Sequence, residues 1–271
     1  MMAVPIHRIC RSFLLLLAIS ASLHGAALKG RPQWVEASSI AVAETTIIGE
    51  SQRGRPLVVH HLGSGATPLF ILGGQHGGPE ANTVQLVKQL LAHFEANPHE
   101  IPPNARLDIL LEGNPDGLAA GSRQFASGVD PNRNWGGPEW QSDAADSNGT
   151  FRIGLGGPEP FSEPETQALR SYLMATRPAF VINYHSRGGF ILGGRAGTSG
   201  ALADAFATAS GYHRPTPGGG TGLGYRATGS MNVWMGTEGL GGILVELTTS
   251  TDPEFARNLA GIRAVLALLA E

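Results

Sequence analysis

Leu69-Phe70-Ile71-Leu72-Gly73-Gly74-Gln75-His76-Gly77-Gly78-Pro79-Glu80 reads as a strand, a turn and the start of a helix in one short stretch. The apolar residues predict a strand over 68–73, and the glycines that follow let the backbone fold back tightly. From Glu80 onward Val84, Val87, Leu91 and Phe94 recur at helical spacing until Asn97-Pro98 ends the run. His76 and Glu80 therefore sit at the mouth of a strand-to-helix turn. An imidazole and a carboxylate so placed are what a zinc site needs for its first two ligands, and an ordinary surface contact between acid and imidazole needs no more. A third ligand and a base have to come from further along the chain.

Downstream the same pattern recurs. A strand over Leu107–Leu111 runs into the turn signal Asn114-Pro115-Asp116-Gly117, and an irregular stretch follows to about Pro160, of a length that is functional or disordered in a compact domain. Ser162, with Glu165 three residues on, predicts a capped helix through Leu169 and Leu173 to Arg177-Pro178. The strand Phe180–Tyr184 then delivers His185-Ser186 as the earlier strand delivers His76. A helix near 200–210, a glycine-rich loop at 217–224, a short helix near 230–238 and the strand Ile243–Leu247 come next. The last helix, with Asp252 as its cap and Pro253 first, buries Phe255, Leu259, Ile262, Leu266 and Leu269. Upstream, Thr45–Gly49 and Pro56–Leu62 predict two strands joined by Ser51–Gly54. His60 and His61 face opposite sides of the second and read as sheet surface.

Strands alternating with helices predict an α/β three-layer sandwich, a mixed and largely parallel central sheet with helices on both faces. Sites in such sheets gather at the carboxyl ends of strands, where His76, His185 and Glu246 fall. Glu246 is a carboxylate inside the apolar strand Ile243-Leu244-Val245-Glu246-Leu247. Either it lies on an edge strand and faces water, or it is buried and must be paired, metal-bound or catalytic.

The chain of 271 residues, 42% hydrophobic and 15% charged, is long enough to bury a substantial core. A net charge of −3 with no basic run excludes a nucleic-acid footprint, and 38 glycines at no fixed period exclude a repeat array. Residues 1–27 read as an export signal: Arg8 and Arg11, the apolar run Phe13–Ile19, then small residues at Ala21, Gly25, Ala26 and Ala27. An uncleaved anchor is the alternative, though the run is short for a bilayer. Cleavage leaves residues 28–271 as a single domain with no membrane attachment. It also removes Cys10, the one cysteine, so the remainder has neither thiol nor disulfide, as suits a periplasmic or secreted protein.

Five motifs in order carry a resemblance across 69–250. They are Gly74–Glu80; Asn114-Pro115-Asp116-Gly117; Gly128-Val129-Asp130-Pro131-Asn132-Arg133-Asn134-Trp135; Phe161–Thr166; and Tyr184-His185-Ser186, followed by the strand bearing Glu246. The chain resembles the zinc carboxypeptidase family of metallopeptidases, and within it the bacterial branch related to murein peptide amidase. The resemblance implies one Zn2+ per chain held by His76, Glu80 and His185 with one position left open. It makes Glu246 the general base and Arg123 the stabiliser of the tetrahedral oxyanion. Asn132 and Arg133 would hold the substrate's terminal carboxylate, and Tyr225 would close over it. Met231, just after Gly229-Ser230, would line the pocket for the terminal side chain, where no acid selects Lys or Arg. For Arg123 and Arg133 the alternative to these roles is a surface salt bridge. Arg187 and Arg195 either add positive charge for an anionic substrate or are solvated loop residues.

The family has two residues between its first His and Glu ligands, whereas Gly77, Gly78 and Pro79 make three here. Three functions are consistent with this pattern. The preferred one is an exported zinc peptidase that hydrolyses an amide bond next to a free carboxylate, on a peptide or muropeptide such as a γ-D-Glu–diaminopimelate bond. The second is an N-acyl amino acid deacylase of the desuccinylase and aspartoacylase type. The third is a binding protein with the same fold and no metal, for which the longer His76–Glu80 spacing speaks.

Overall fold

The structure, a computed structural model, describes residues 43–194, 197–215 and 225–271. Its strands are β1 (Glu44–Glu50), β2 (Pro56–Leu62), β3 (Thr67–Leu72), β4 (Ala105–Leu110), β5 (Ala144–Ala145), β6 (Phe151–Arg152), β7 (Phe180–Ser186), β8 (Phe190–Gly193) and β9 (Gly242–Leu247). The helices are α1 (Asn82–Ala96), α2 (Pro115–Ala120), α3 (Pro164–Thr176), α4 (Gly197–Ser210), α5 (Met231–Thr237) and α6 (Phe255–Leu269). Seven strands form the main sheet in the order β1-β2-β4-β3-β7-β9-β8, while β5 and β6 form a separate hairpin. The centre of the sheet, from β4 through β3 and β7 to β9, is parallel; the outer pairings are antiparallel.

Period-two alternation divides the core between the two faces. Leu69, Ile71, Phe180, Ile182, Ile243 and Val245 pack on one side with apolar residues of α1, α4 and α6. Phe70, Leu72 and Val181 pack on the other with Leu169 and Leu173 of α3 and Trp234 of α5. The chain leaves β3 towards β4 on one side, and β7 lies on the other, so the crevice above their carboxyl ends is a topological switch point.

Several expected boundaries shift, each for a local reason. The Asn114-Pro115-Asp116-Gly117 signal opens α2: the Asn114 carboxamide accepts from Gly117 N at 2.8 Å, and Pro115 takes the first position, where no N–H is needed. Ser162 does not cap α3. Glu163 is its N-cap residue, and the Asn134 side chain accepts from Glu163 N at 3.2 Å and from Thr166 Oγ1 at 2.6 Å. Asp252 and Pro253 lie ahead of α6, whose N-cap is Glu254 in a left-handed conformation. β8, absent from the sequence reading, pairs with β9 and so removes the edge-strand explanation of Glu246. The glycine-rich loop at 217–224 and the leader at 1–27 lie outside the described residues.

The irregular stretch before α3 is held by Asn134. Besides its contacts with α3, its amide nitrogen reaches Gly156 O at 2.9 Å, Glu159 O at 3.2 Å and Ser162 Oγ at 2.9 Å. Asn134 is fully buried, so removing it orphans groups that water cannot reach. Asn134→Ala is expected to cost about 2–4 kcal/mol, read as a lowered urea midpoint with unchanged slope. A loss under roughly 1 kcal/mol would contradict this role.

Candidate metal centre

β3 ends in glycines that carry the chain over its own carboxyl end. A Cβ at Gly77 would lie 2.4 Å from the Gly117 backbone, and Gly78 has a φ of +57° with its Cβ position 2.6 Å from Gly121 O. A side chain at either position would force the turn open. Gly78–Glu80 then forms one 3-10 turn. The third intervening residue is thus absorbed by a left-handed glycine, and Glu80 returns to His76 with Oε1 3.0 Å from Nδ1. His185, near the end of β7, completes the group. Its Nδ1 lies 3.0 Å from His76 Nδ1 and 3.2 Å from Glu80 Oε2.

The outer nitrogens decide what these three residues can hold. His76 Nε2 meets Asp130 Oδ1 at 3.0 Å and His185 Nε2 meets Gln75 Oε1 at 2.8 Å. Both partners accept, so both imidazoles donate from Nε2 and, when neutral, face each other with bare Nδ1 lone pairs. Two acceptors 3.0 Å apart repel unless a cation lies between them. Two imidazole nitrogens and one carboxylate, all buried, form a donor set that fits zinc with a position to spare.

The charges point the same way. Burial alone would raise the Glu80 and Asp130 carboxyls, but the cationic and imidazole partners around them hold both well below the usual range. Arg123 is the main cation: it pairs with Glu80, and its Nε lies 3.0 Å from Asp130 Oδ2. Burial and Arg123 pull His76 down, yet Glu80 and Asp130 outweigh them and the net shift is upward. Burial brings His185 down to about 4, which keeps it neutral. Glu246 is the cross-strand neighbour of His185 in the β7–β9 register. Burial, then the charge of Glu80, pushes its carboxyl up to about 7.

A cavity of about 960 Å³ opens over this cluster, and His76, His185, Glu246, Arg123, Asn132 and Arg133 all line it. Arg133 is buried, with Nε on Ala145 O at 2.9 Å and Nη1 on Asn132 O at 2.8 Å. Its Nη2 faces Tyr225 Oη at 3.5 Å. Asn132 anchors α5 by accepting from Met231 N at 2.9 Å. Met231 itself does not line the cavity. Its side chain is buried in the second core, with Sδ 3.5 Å from Asn183 Nδ2 and 3.8 Å from Gln75 Nε2. Asn232, Val233, Met235 and Gly236 form that wall instead. Arg187 is exposed and away from the lining, Arg226 lines it, and Arg195 lies outside the described residues. Gln75 and Asp130 are two residues of the site that the sequence alone does not mark as functional. Asp130 stood within the Gly128–Trp135 motif, while nothing local marked Gln75.

The sequence pattern of the zinc carboxypeptidase family matches residues 34–198. The chain belongs to this family. It is 32% identical over 146 residues to murein peptide amidase A of Escherichia coli K12, covering 51% of this chain and 57% of that one. To carboxypeptidase B of Astacus astacus it is 28% identical over 167 residues, 54% of each. The chain spans about half the length of the curated relatives it matches. Among solved structures, the murein-tripeptide amidase of Escherichia coli O157 superposes with a TM-score of 0.61 at 26% identity, over 84% of this chain and 92% of the other. Bovine thrombin-activatable fibrinolysis inhibitor, in complex with tick carboxypeptidase inhibitor, gives a TM-score of 0.68 at 19% identity, over 85% and 89%, a likeness of fold.

Proposed function

We propose that this family member hydrolyses an amide bond next to a free carboxylate, on peptides or cell-wall muropeptides, after export from the cytoplasm. The observation that carries the reading is Glu246 abreast of His185, in a cavity that Arg133 also lines. Zinc held by His76, Glu80 and His185 would supply a Lewis acid to polarise the scissile carbonyl and acidify water. Glu246 accepts the proton of the attacking water and returns it to the leaving nitrogen, a task suited to a carboxyl poised near 7. Arg133 receives the substrate carboxylate through Nη2, where Tyr225 Oη now stands, and Asn132 holds the adjoining main chain. Arg123 neutralises Glu80 and Asp130 and lines the cavity where an oxyanion develops.

Among the described residues lining the cavity, Glu246 is the one carboxylate, so nothing there selects a basic terminal side chain. The names of the amidase relatives favour a cell-wall peptide, with a γ-D-Glu–diaminopimelate bond as the specific candidate. The longer His76–Glu80 spacing, which favoured a metal-free binding protein, is accommodated by Gly78.

Glu246→Gln keeps the side-chain shape and removes the base, so turnover on muropeptides should fall roughly 10²–10⁴-fold with zinc content unchanged. The base works deprotonated, so kcat/KM of the parent should fall as pH drops through an ionisation at or below about 7. Arg133→Ala should instead raise KM with zinc intact. An unaltered rate in Glu246→Gln would refute the mechanism. For export, mass spectrometry of the protein from its host should find a new amino terminus between about Ser22 and Lys29. Full-length protein in the cytoplasm would refute that part.

A further inference from the structure

Gln75 lies between the metal centre and the second core, 1% exposed, with a different kind of partner at each end of its carboxamide. Nε2 stands 3.2 Å from the carbonyl oxygen of Pro131, which also receives the Trp135 indole N–H at 2.9 Å. A carbonyl only accepts, so the amide nitrogen of Gln75 must be on that side. Oε1 is then turned the other way. It accepts from Asn183 Nδ2 at 2.7 Å and meets His185 Nε2 at 2.8 Å. An amide oxygen cannot donate, and His185 is 2% exposed, so no bulk water supplies a substitute partner.

We infer that Gln75 is a positioning residue: it fixes the proton of His185 on Nε2 and thereby aims the Nδ1 lone pair at the metal. The same backbone segment serves both imidazoles. Asp130 holds the outer nitrogen of His76 directly, and the Pro131 carbonyl holds that of His185 through Gln75. A carboxylate on one ring and a neutral amide on the other give both rings the same tautomer. They do so without a further buried negative charge beside Glu80, Asp130 and Glu246. Asn183, one strand residue from Tyr184 and on the same face as His185, braces the amide from below.

The inference rests on the metal reading above, and the experiment separates the two. Zinc affinity is measured by competition with a chromogenic chelator for the parent, Gln75→Leu and Gln75→Glu. Gln75→Leu removes the acceptor and should weaken zinc binding about 10–100-fold, while Gln75→Glu keeps an acceptor and should stay within about threefold of the parent. Equal losses in both variants, or no loss in Gln75→Leu, would overturn the inference and leave the metal reading intact. A parent that takes up no zinc would overturn both. Nitrogen-15 spectra of the metal-free parent should show His185 protonated at Nε2, and protonation at Nδ1 would overturn the inference even if Gln75→Leu fails to fold.

Discussion

Two buried imidazole nitrogens 3.0 Å apart, each carrying a bare lone pair when its ring is neutral, repel until a cation or a shared proton intervenes. That arrangement persists because each ring is held from behind by a buried acceptor. Asp130 belongs to the irregular 128–163 stretch, and Gln75 to the turn after β3, which Gly73 O and Gly74 O tie to Gly113 N and Asn114 N. Asn134 ties that stretch to α3, Trp135 packs against Trp234 with ring centroids 4.8 Å apart, and Asn132 tethers α5. Buried side chains therefore hold the irregular chain around the site.

The electrostatics carry a related tension. Among the described residues, Glu80, Asp130 and Glu246 place three carboxyls close to the two imidazoles, and Arg123 is the cation that contacts Glu80 and Asp130 directly. A site with excess negative charge is costly to bury alone and favourable for a dication. The upward shift of His76 expresses the same excess: a proton is drawn to where a metal would sit. Family membership gives that excess its chemical meaning.

Much of this was legible in the residues. Apolar runs located β3, β7 and β9, and the parallel centre of the sheet brought His76, His185 and Glu246 to one end. What stayed hidden depended on backbone detail. The positive φ of Gly78, which returns Glu80 to the cluster, leaves no trace in hydrophobic pattern. Met231 followed the Gly-Ser pair as a pocket residue should, yet the turn of α5 sends it into the core and presents Asn232 instead. Phe190–Gly193 is a short strand between glycines, too brief to register by periodicity. Gln75 is an ordinary polar residue in the sequence, and only its two facing partners in space give it a role.

A crystal structure of the zinc-loaded protein, with anomalous data collected at the zinc edge, tests the central claim most directly. One peak is expected at about 2.0–2.2 Å from Nδ1 of His76, Nδ1 of His185 and the Glu80 carboxylate, with both Nε2 atoms still on Asp130 and Gln75. Zinc bound through either Nε2, or a site that leaves Glu80 outside the coordination sphere, would contradict it.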